Sequence, residues 1–159
     1  MPLKSFVMEM MAVIRPAAVA DASRIAEILI FSKRANYREI FQNDKVSFGE
    51  MQVYPLAQSY MDNPEKLTGI WVFDDEFVKG MIHIEENEIA ELYIDPFFGN
   101  QGIGSKLMEF AIRQMHCDFL WVLEKNADAI RFYQRHGFVL SEEKKYQEGT
   151  TEFIVKMKR

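Results

Sequence analysis

Apolar positions along the chain change their period several times. From Asp21 to about Phe41 they follow a helical repeat, with Ile25, Ile28, Leu29 and Ser32 on one side and Arg24 and Glu27 off it. Ala12–Arg15, just before, reads as a short strand closed by Pro16. Asn43-Asp44-Lys45 reads as a loop, and Val53–Met61 as a second helix ended by Asp62-Asn63-Pro64. The pattern then turns strand-like. Gly69–Phe73 and Phe77–Glu85 are joined by the polar turn Asp74-Asp75-Glu76, and Glu86-Asn87 leads into Ile89–Ile94, which predicts an antiparallel meander.

A helical period returns over Ile103–Met115. Leu107, Met108, Ala111, Ile112 and Met115 form its apolar face, and Lys106, Glu109 and Arg113 its wet one. Phe119–Leu123 is an unbroken apolar run, hence a buried strand. Ala127–His136 predicts a helix stopped by Gly137, and Phe138–Lys145 with Glu152–Met157 a terminal hairpin across Gln147-Glu148-Gly149. The fold class this predicts is α/β. A mixed central sheet is flanked by helices, and is built from an antiparallel meander, a β-loop-α-β crossover and a terminal hairpin. At 159 residues one domain is expected, over 12–159, with 1–11 as a flexible N-terminal extension.

The stretch richest in chemistry is Ile94-Asp-Pro-Phe-Phe-Gly-Asn-Gln-Gly-Ile-Gly-Ser105, where a strand ends, glycines gather and a helix begins. Glycine permits positive φ and close approach of backbone to a ligand. A helix start offers unpaired N–H groups and a partial positive charge, which together make an anion site. A tight turn closing helix on strand would need the same glycines. Gly99 and Gly104 have the spacing of a nucleotide P-loop, but Ser105-Lys106 stand in reversed order. Gly102-Ile103-Gly104 lacks the third glycine of the dinucleotide fingerprint, and a meander precedes it.

Downstream lie Asn126, Ala129, Phe132-Tyr133 and Gly137-Phe138. With Ile94-Asp95-Pro96 and Gly102-Ile103-Gly104, in this order, they resemble the GCN5-related N-acetyltransferase (GNAT) superfamily, from about Val13 to Lys158. The resemblance implies acetyl-CoA as co-substrate and a single GNAT-like domain. It implies that N–H groups of Gly99, Asn100, Gln101, Gly102, Ile103, Gly104 and Ser105 hold the pyrophosphate, and that the backbone of Tyr93 and Ile94 pairs with the pantetheine amides. Asn126 and Tyr133 complete the expected cofactor contacts. The family's Arg or Gln falls on Gly99, so a side-chain contact to phosphate would have to come from Gln101 or Asn100.

Acetyl transfer to an amine needs a base for the ammonium proton and an acid for the departing thiolate. Tyr133 is the expected acid. It stands seven residues after Asn126, nearly two helical turns, so the two share an azimuth. Glu91 is the expected base, with Glu85, Glu88 and Glu124 as competitors. Strand alternation sets Glu91 and Tyr93 on one face, and Leu92 and Ile94 on the other. Each has a plainer reading. Tyr133 suits a core aromatic, Asn126 a helix N-cap, Glu91 a solvated strand carboxylate and His83 a structural strand residue. By resemblance, Phe31 and Tyr37, with Glu124, wall the acceptor side, together with Arg34, Phe41 and the loop to Val53.

Composition narrows the partners. The net charge of −5 disfavours nucleic acid and suits a cationic amine, either a small amine or a peptide N-terminus. No apolar run approaches the roughly 20 residues a membrane span needs, and the first sixteen residues lack a signal-peptide pattern. Cys117 is the only cysteine, which excludes an internal disulfide and fits a reducing, cytoplasmic setting. It reads as a small buried residue. His116 beside it has no second ligand pair, so no metal is expected. Edge strands offer a route to a homodimer. The competing reading is a non-catalytic acyl-CoA-binding sensor, which would keep the glycine loop and need neither Glu91 nor Tyr133.

Overall fold

The computed structural model describes residues 12–159. The expected 1–11 extension lies outside the described residues. The element order is β1 (Val13–Pro16), α1 (Ala22–Phe41), α2 (Val53–Asp62), β2 (Ile70–Asp75), β3 (Phe77–Glu85), β4 (Glu88–Ile94), α3 (Ile103–Arg113), β5 (Phe119–Leu123), α4 (Ala127–Arg135), β6 (Val139–Tyr146) and β7 (Phe153–Lys158). The strands form one seven-stranded sheet in the order β1-β2-β3-β4-β5-β7-β6. Every pairing is antiparallel except β4 with β5, which α3 connects as a crossover.

Each face of the sheet buries its own core. On one face α1 and α2 set Ile25, Ile28, Leu29, Ala57 and Tyr60 against Val72, Met81 and Tyr93. On the other α3 sets Leu107, Met108 and Ala111 against Ile82, Ile89, Leu120 and Met157, with Phe138 among them. Of the helical stripes read from the sequence, Ile25, Ile28, Leu29, Ser32, Leu107, Met108 and Ala111 are buried, while Ile112 and Met115 are half-buried. Hence each helix is held by its apolar face rather than by propensity.

Three expectations shift at the edges. The predicted loop at 43–45 gives way to a π-helical turn over Lys45–Glu50, braced by Arg34, which donates to the carbonyls of Ser47 (2.9 Å) and Met51 (2.8 Å). The predicted turn Asp74-Asp75-Glu76 shortens to Glu76, because Asp74 and Asp75 stay paired with β3 past a bulge. Asp74 also accepts from Arg15 on β1 at 3.0 Å, which holds it to the sheet. The third helix ends at Arg113, two residues before Met115.

The junction of β4 and β5 positions the site. Their parallel pairing covers only Glu88–Phe119 and Ile89–Leu120. At that level the register of β3 with β4 shifts, since His83 faces Glu91 while Ile84 faces Ile89. Ala90 is the extra residue of a bulge, which bends β4 and increases its twist. Beyond it the two parallel strands diverge and leave an opening.

Candidate active site

The opening between β4 and β5 widens into a cavity of about 1290 Å³. Glu91, Tyr93, Tyr37, Asn126 and Tyr133 all line it. The α1 end with the π-helical turn forms one wall, and the β6–β7 turn Gln147–Glu152 the opposite one.

The backbone of β4 supplies polar groups to this opening. Met81 faces Tyr93 and Gly80 faces Ile94, and the Asp95 N–H donates to the Lys79 carbonyl at 2.9 Å. Alternation along an antiparallel ladder then commits the N–H and C=O of Tyr93 to β3. Leu92 and Ile94 turn theirs toward β5, which no longer pairs with them. Of the expected pair Tyr93 and Ile94, only Ile94 turns its backbone toward the opening, with Leu92 beside it. The Ile94 carbonyl already accepts from the buried Ser32 hydroxyl at 3.2 Å. Tyr93 borders the cavity through its side chain, whose hydroxyl lies 3.4 Å from that of Tyr37.

At the C-terminal end of β4, the glycine loop is anchored before it turns. The Asp95 carboxylate, buried, accepts the Phe97 N–H (2.8 Å) and an Arg24 N–H (2.6 Å). Arg24 also donates to the Val78 carbonyl at 2.8 Å. The chain then takes positive φ at Asn100 (60°) and at Gly102 (80°). Gly102 caps α3 with no side-chain acceptor, and its carbonyl takes the Lys106 N–H. The N–H groups of Ile103, Gly104 and Ser105 are thus left without intrahelical acceptors at the positive end of the helix. Gly102 has open space where a Cβ would stand, whereas a Cβ on Gly104 would come within 3.3 Å of the Phe132 ring. The first glycine therefore serves conformation, the second the packing of α3 on α4. The Ser105 hydroxyl meets His136 Nε2 at 3.2 Å. Gly99–Ser105 adjoins the cavity-lining strand but is not part of the lining itself. Asn100 and Gln101 make no side-chain hydrogen bond among the described residues.

Asn126 N-caps α4, its Oδ1 accepting the Ala129 N–H at 3.2 Å, and still borders the cavity. Tyr133 packs between Phe132 and Phe138. Burial, and secondarily Tyr37, push its pKa up, so the phenol stays protonated. Burial likewise raises Tyr37 and Tyr93, and carries Tyr60 up to about 12 with a smaller push from Glu91. Glu91 stands opposite His83 on β3, Oε1 to Nδ1 at 3.6 Å, and 4.0 Å from Lys33 on α1.

Two residues expected on the acceptor side lie outside this cavity. Phe31 lies on another side of α1, in a separate groove with Arg34, Phe48 and Phe97. A helix turns 100° per residue, so positions 31 and 37 need not share a face. Glu124 does not line the cavity but pairs with Lys144 at 2.8 Å. The sequence reading missed Trp121 and the β6–β7 turn as walls. Their residues carry no motif; Trp121 comes to the site on β5, and the turn on the β6–β7 hairpin that pairs with β5. No group of three or more His, Cys, Asp or Glu is gathered for a metal among the described residues. Nor is any helix among them long and apolar enough to cross a membrane.

Comparison with known proteins bears on this architecture. Residues 66–140, from before β2 into β6, match the model of the acetyltransferase (GNAT) domain. A stretch of 89 residues, 53% of this chain, is 36% identical to an uncharacterised N-acetyltransferase of Methanocaldococcus jannaschii. The chain spans only 38% of that relative's length. The fold is shared with the PaiA N-acetyltransferase of Thermoplasma acidophilum, solved in complex with coenzyme A. That likeness has TM-score 0.66 and 22% identity, and covers 94% of this chain and 100% of that one. It is also shared with an N-acetyltransferase of Staphylococcus aureus (TM-score 0.71, 15% identity, 92% and 99% covered). A seven-stranded mixed sheet parted between β4 and β5 above a glycine-rich helix start defines the class as a GNAT fold. Residues 66–140 are similar to the GNAT acetyltransferase domain, and the chain shares its fold with these N-acetyltransferases.

Proposed function

We propose that the protein is an acetyl-CoA-dependent N-acetyltransferase that passes the acetyl group directly to an amine within a ternary complex. One observation carries this most. The parted strands and Tyr133 border one cavity, and β4, which lines it, leads at its C-terminal end into the glycine loop and the uncapped start of α3. The proposed pyrophosphate cradle is the run of backbone N–H groups from Gly99 to Ser105. Leu92 and Ile94 would pair with the pantetheine as an added strand. The likeness to an N-acetyltransferase solved in complex with coenzyme A supports the cofactor assignment.

The chemistry follows from the groups at hand. Glu91 takes the ammonium proton, directly or through water, and the freed amine attacks the thioester carbonyl. The oxyanion forms beside the unpaired N–H groups of β4. Collapse breaks the C–S bond, the thiolate takes the proton of Tyr133, and the second proton shed by the new amide nitrogen returns through water to the phenolate. The cavity's carboxylates, Glu50, Glu88, Glu91, Glu148 and Glu152, outnumber its ammoniums, Lys33 and Lys145. That balance favours a cationic acceptor, a small amine or a peptide N-terminus.

Isothermal calorimetry tests the cofactor assignment. Acetyl-CoA is expected to bind with a single site and ATP to give no heat. Binding of ATP in place of acetyl-CoA would overturn it.

A further inference from the structure

His83 is the one imidazole in contact with a carboxylate of the cavity. It sits on β3, directly opposite Glu91 on β4, so both side chains leave the same face of the sheet. Its Nδ1 lies 3.6 Å from Glu91 Oε1, and its Nε2 lies 3.5 Å from Glu85 Oε1. Glu91 is largely covered, with 29% of its side chain exposed, whereas Glu85 is 61% exposed. The imidazole thus bridges a carboxylate of the cavity to one in solvent. Gly69 adjoins the ring at φ +83°, where a Cβ would meet the Ile84 carbonyl oxygen at 2.5 Å and His83 Cδ2 only at 3.4 Å.

We propose that His83 is a positioning and proton-relay residue that acts through Glu91, carrying the acceptor's proton from the cavity to solvent. This rests on the reading of Glu91 as the base. The step balances without any co-reactant. Glu91 gains the amine's proton and becomes a carboxylic acid. It passes that proton to Nδ1 of neutral His83, and the imidazolium releases its Nε2 proton to Glu85 or to water. Exchange with water restores the starting tautomer. The contacts are slightly long for hydrogen bonds, as is common at catalytic pairs before substrate is bound.

His83 must be neutral at Nδ1 to accept. Glu91 foremost, then Glu85 and Glu88, raise its pKa above the ordinary 6.5, against an opposing desolvation. From α1, Lys33 faces the same Glu91 at 4.0 Å and Tyr37 lies nearby. Tyr60 of α2 also senses Glu91, and from β2 the neighbour is Ile70, with no titrating group. The relay is therefore open above the raised His83 pKa and closes as pH falls through it.

The test is the pH profile of kcat at saturating acetyl-CoA and acceptor, for wild type, His83→Gln, His83→Ala and Glu91→Gln. Thermal melting of each variant checks its folding. Wild type is expected to lose rate on an acid limb lying above 6.5. His83→Gln is expected to lose that limb and to drop kcat about tenfold at its optimum, with the acceptor KM little changed. Added imidazole is expected to restore part of the His83→Ala rate. If both His83 variants melt as wild type and keep its limb and rate while Glu91→Gln loses activity, the relay is wrong and the base stands. If Glu91→Gln keeps full activity, the base assignment itself fails. Should the His83 variants not fold, Glu85→Gln, which removes the carboxylate 3.5 Å from Nε2, is expected to move the same limb to lower pH. An unmoved limb in a folded Glu85→Gln protein would overturn the relay.

Discussion

Tyr133 illustrates how much a single residue's role depends on its surroundings. In the sequence it could be a core aromatic or an acid, and the structure gives it features of both. It packs on Phe132 and Phe138, yet lines the cavity with Tyr37 and Tyr93. Burial keeps the phenol protonated, which a group that must give a proton to a thiolate requires. Tyr133→Phe keeps the packing and removes the proton. It is expected to lower kcat by about a hundredfold, with KM for acetyl-CoA and melting temperature little changed. Steady-state kinetics beside a melting curve checks this, and an unchanged kcat would leave Tyr133 a core residue. Asn126 was similarly two-sided, and its N-cap bond to Ala129 is realised while it still borders the cavity. Phe31 and Glu124 could not be placed from sequence, because their neighbours are distant in the chain.

Among elements, the glycine loop was the most legible because its signal is local. Strand end, positive-φ residues and helix start lie within a dozen positions, and the structure sets them in that order. The bulge at Ala90 was not legible, since it exists only relative to β3. Whether Leu92 or Tyr93 turns its backbone toward the opening depends on how β4 pairs with β3, which the order of residues does not show. A second element-level device joins β1 to the start of α1. Arg15 donates twice to Asp21, at 2.8 and 2.9 Å, and once to Asp74. Arg15 foremost lowers the Asp21 pKa from 3.8, with the Ala18 N–H assisting and burial opposing. A depressed carboxyl stabilises the fold above its unfolded pKa, and this is lost as pH falls through the folded value. Arg15→Met is thus expected to melt below wild type at pH 7, by about 2–4 °C per kcal/mol lost. The gap should narrow as pH falls below about 4, and melting curves from pH 7 to pH 3 check it.

For the whole molecule, order along the chain and position in space part company. The meander, the crossover and the terminal hairpin were readable as pieces. That β7 slots between β5 and β6, and that β4 and β5 part after two residue pairs, depends on how the pieces dock. Their docking makes the cavity and brings the Gln147–Glu152 turn opposite α1. Its excess of carboxylates points to cationic acceptors, and the parted strands to a thioester held between them. The most direct measurement is release of free thiol from acetyl-CoA across primary amines and peptides with free N-termini. The account predicts thiol release that requires the amine, is faster with positively charged acceptors and falls in Tyr133→Phe. Tight binding of acetyl-CoA with no amine-dependent thiol release from any acceptor class would contradict it, and would leave the protein a binder of acyl-CoA without transfer.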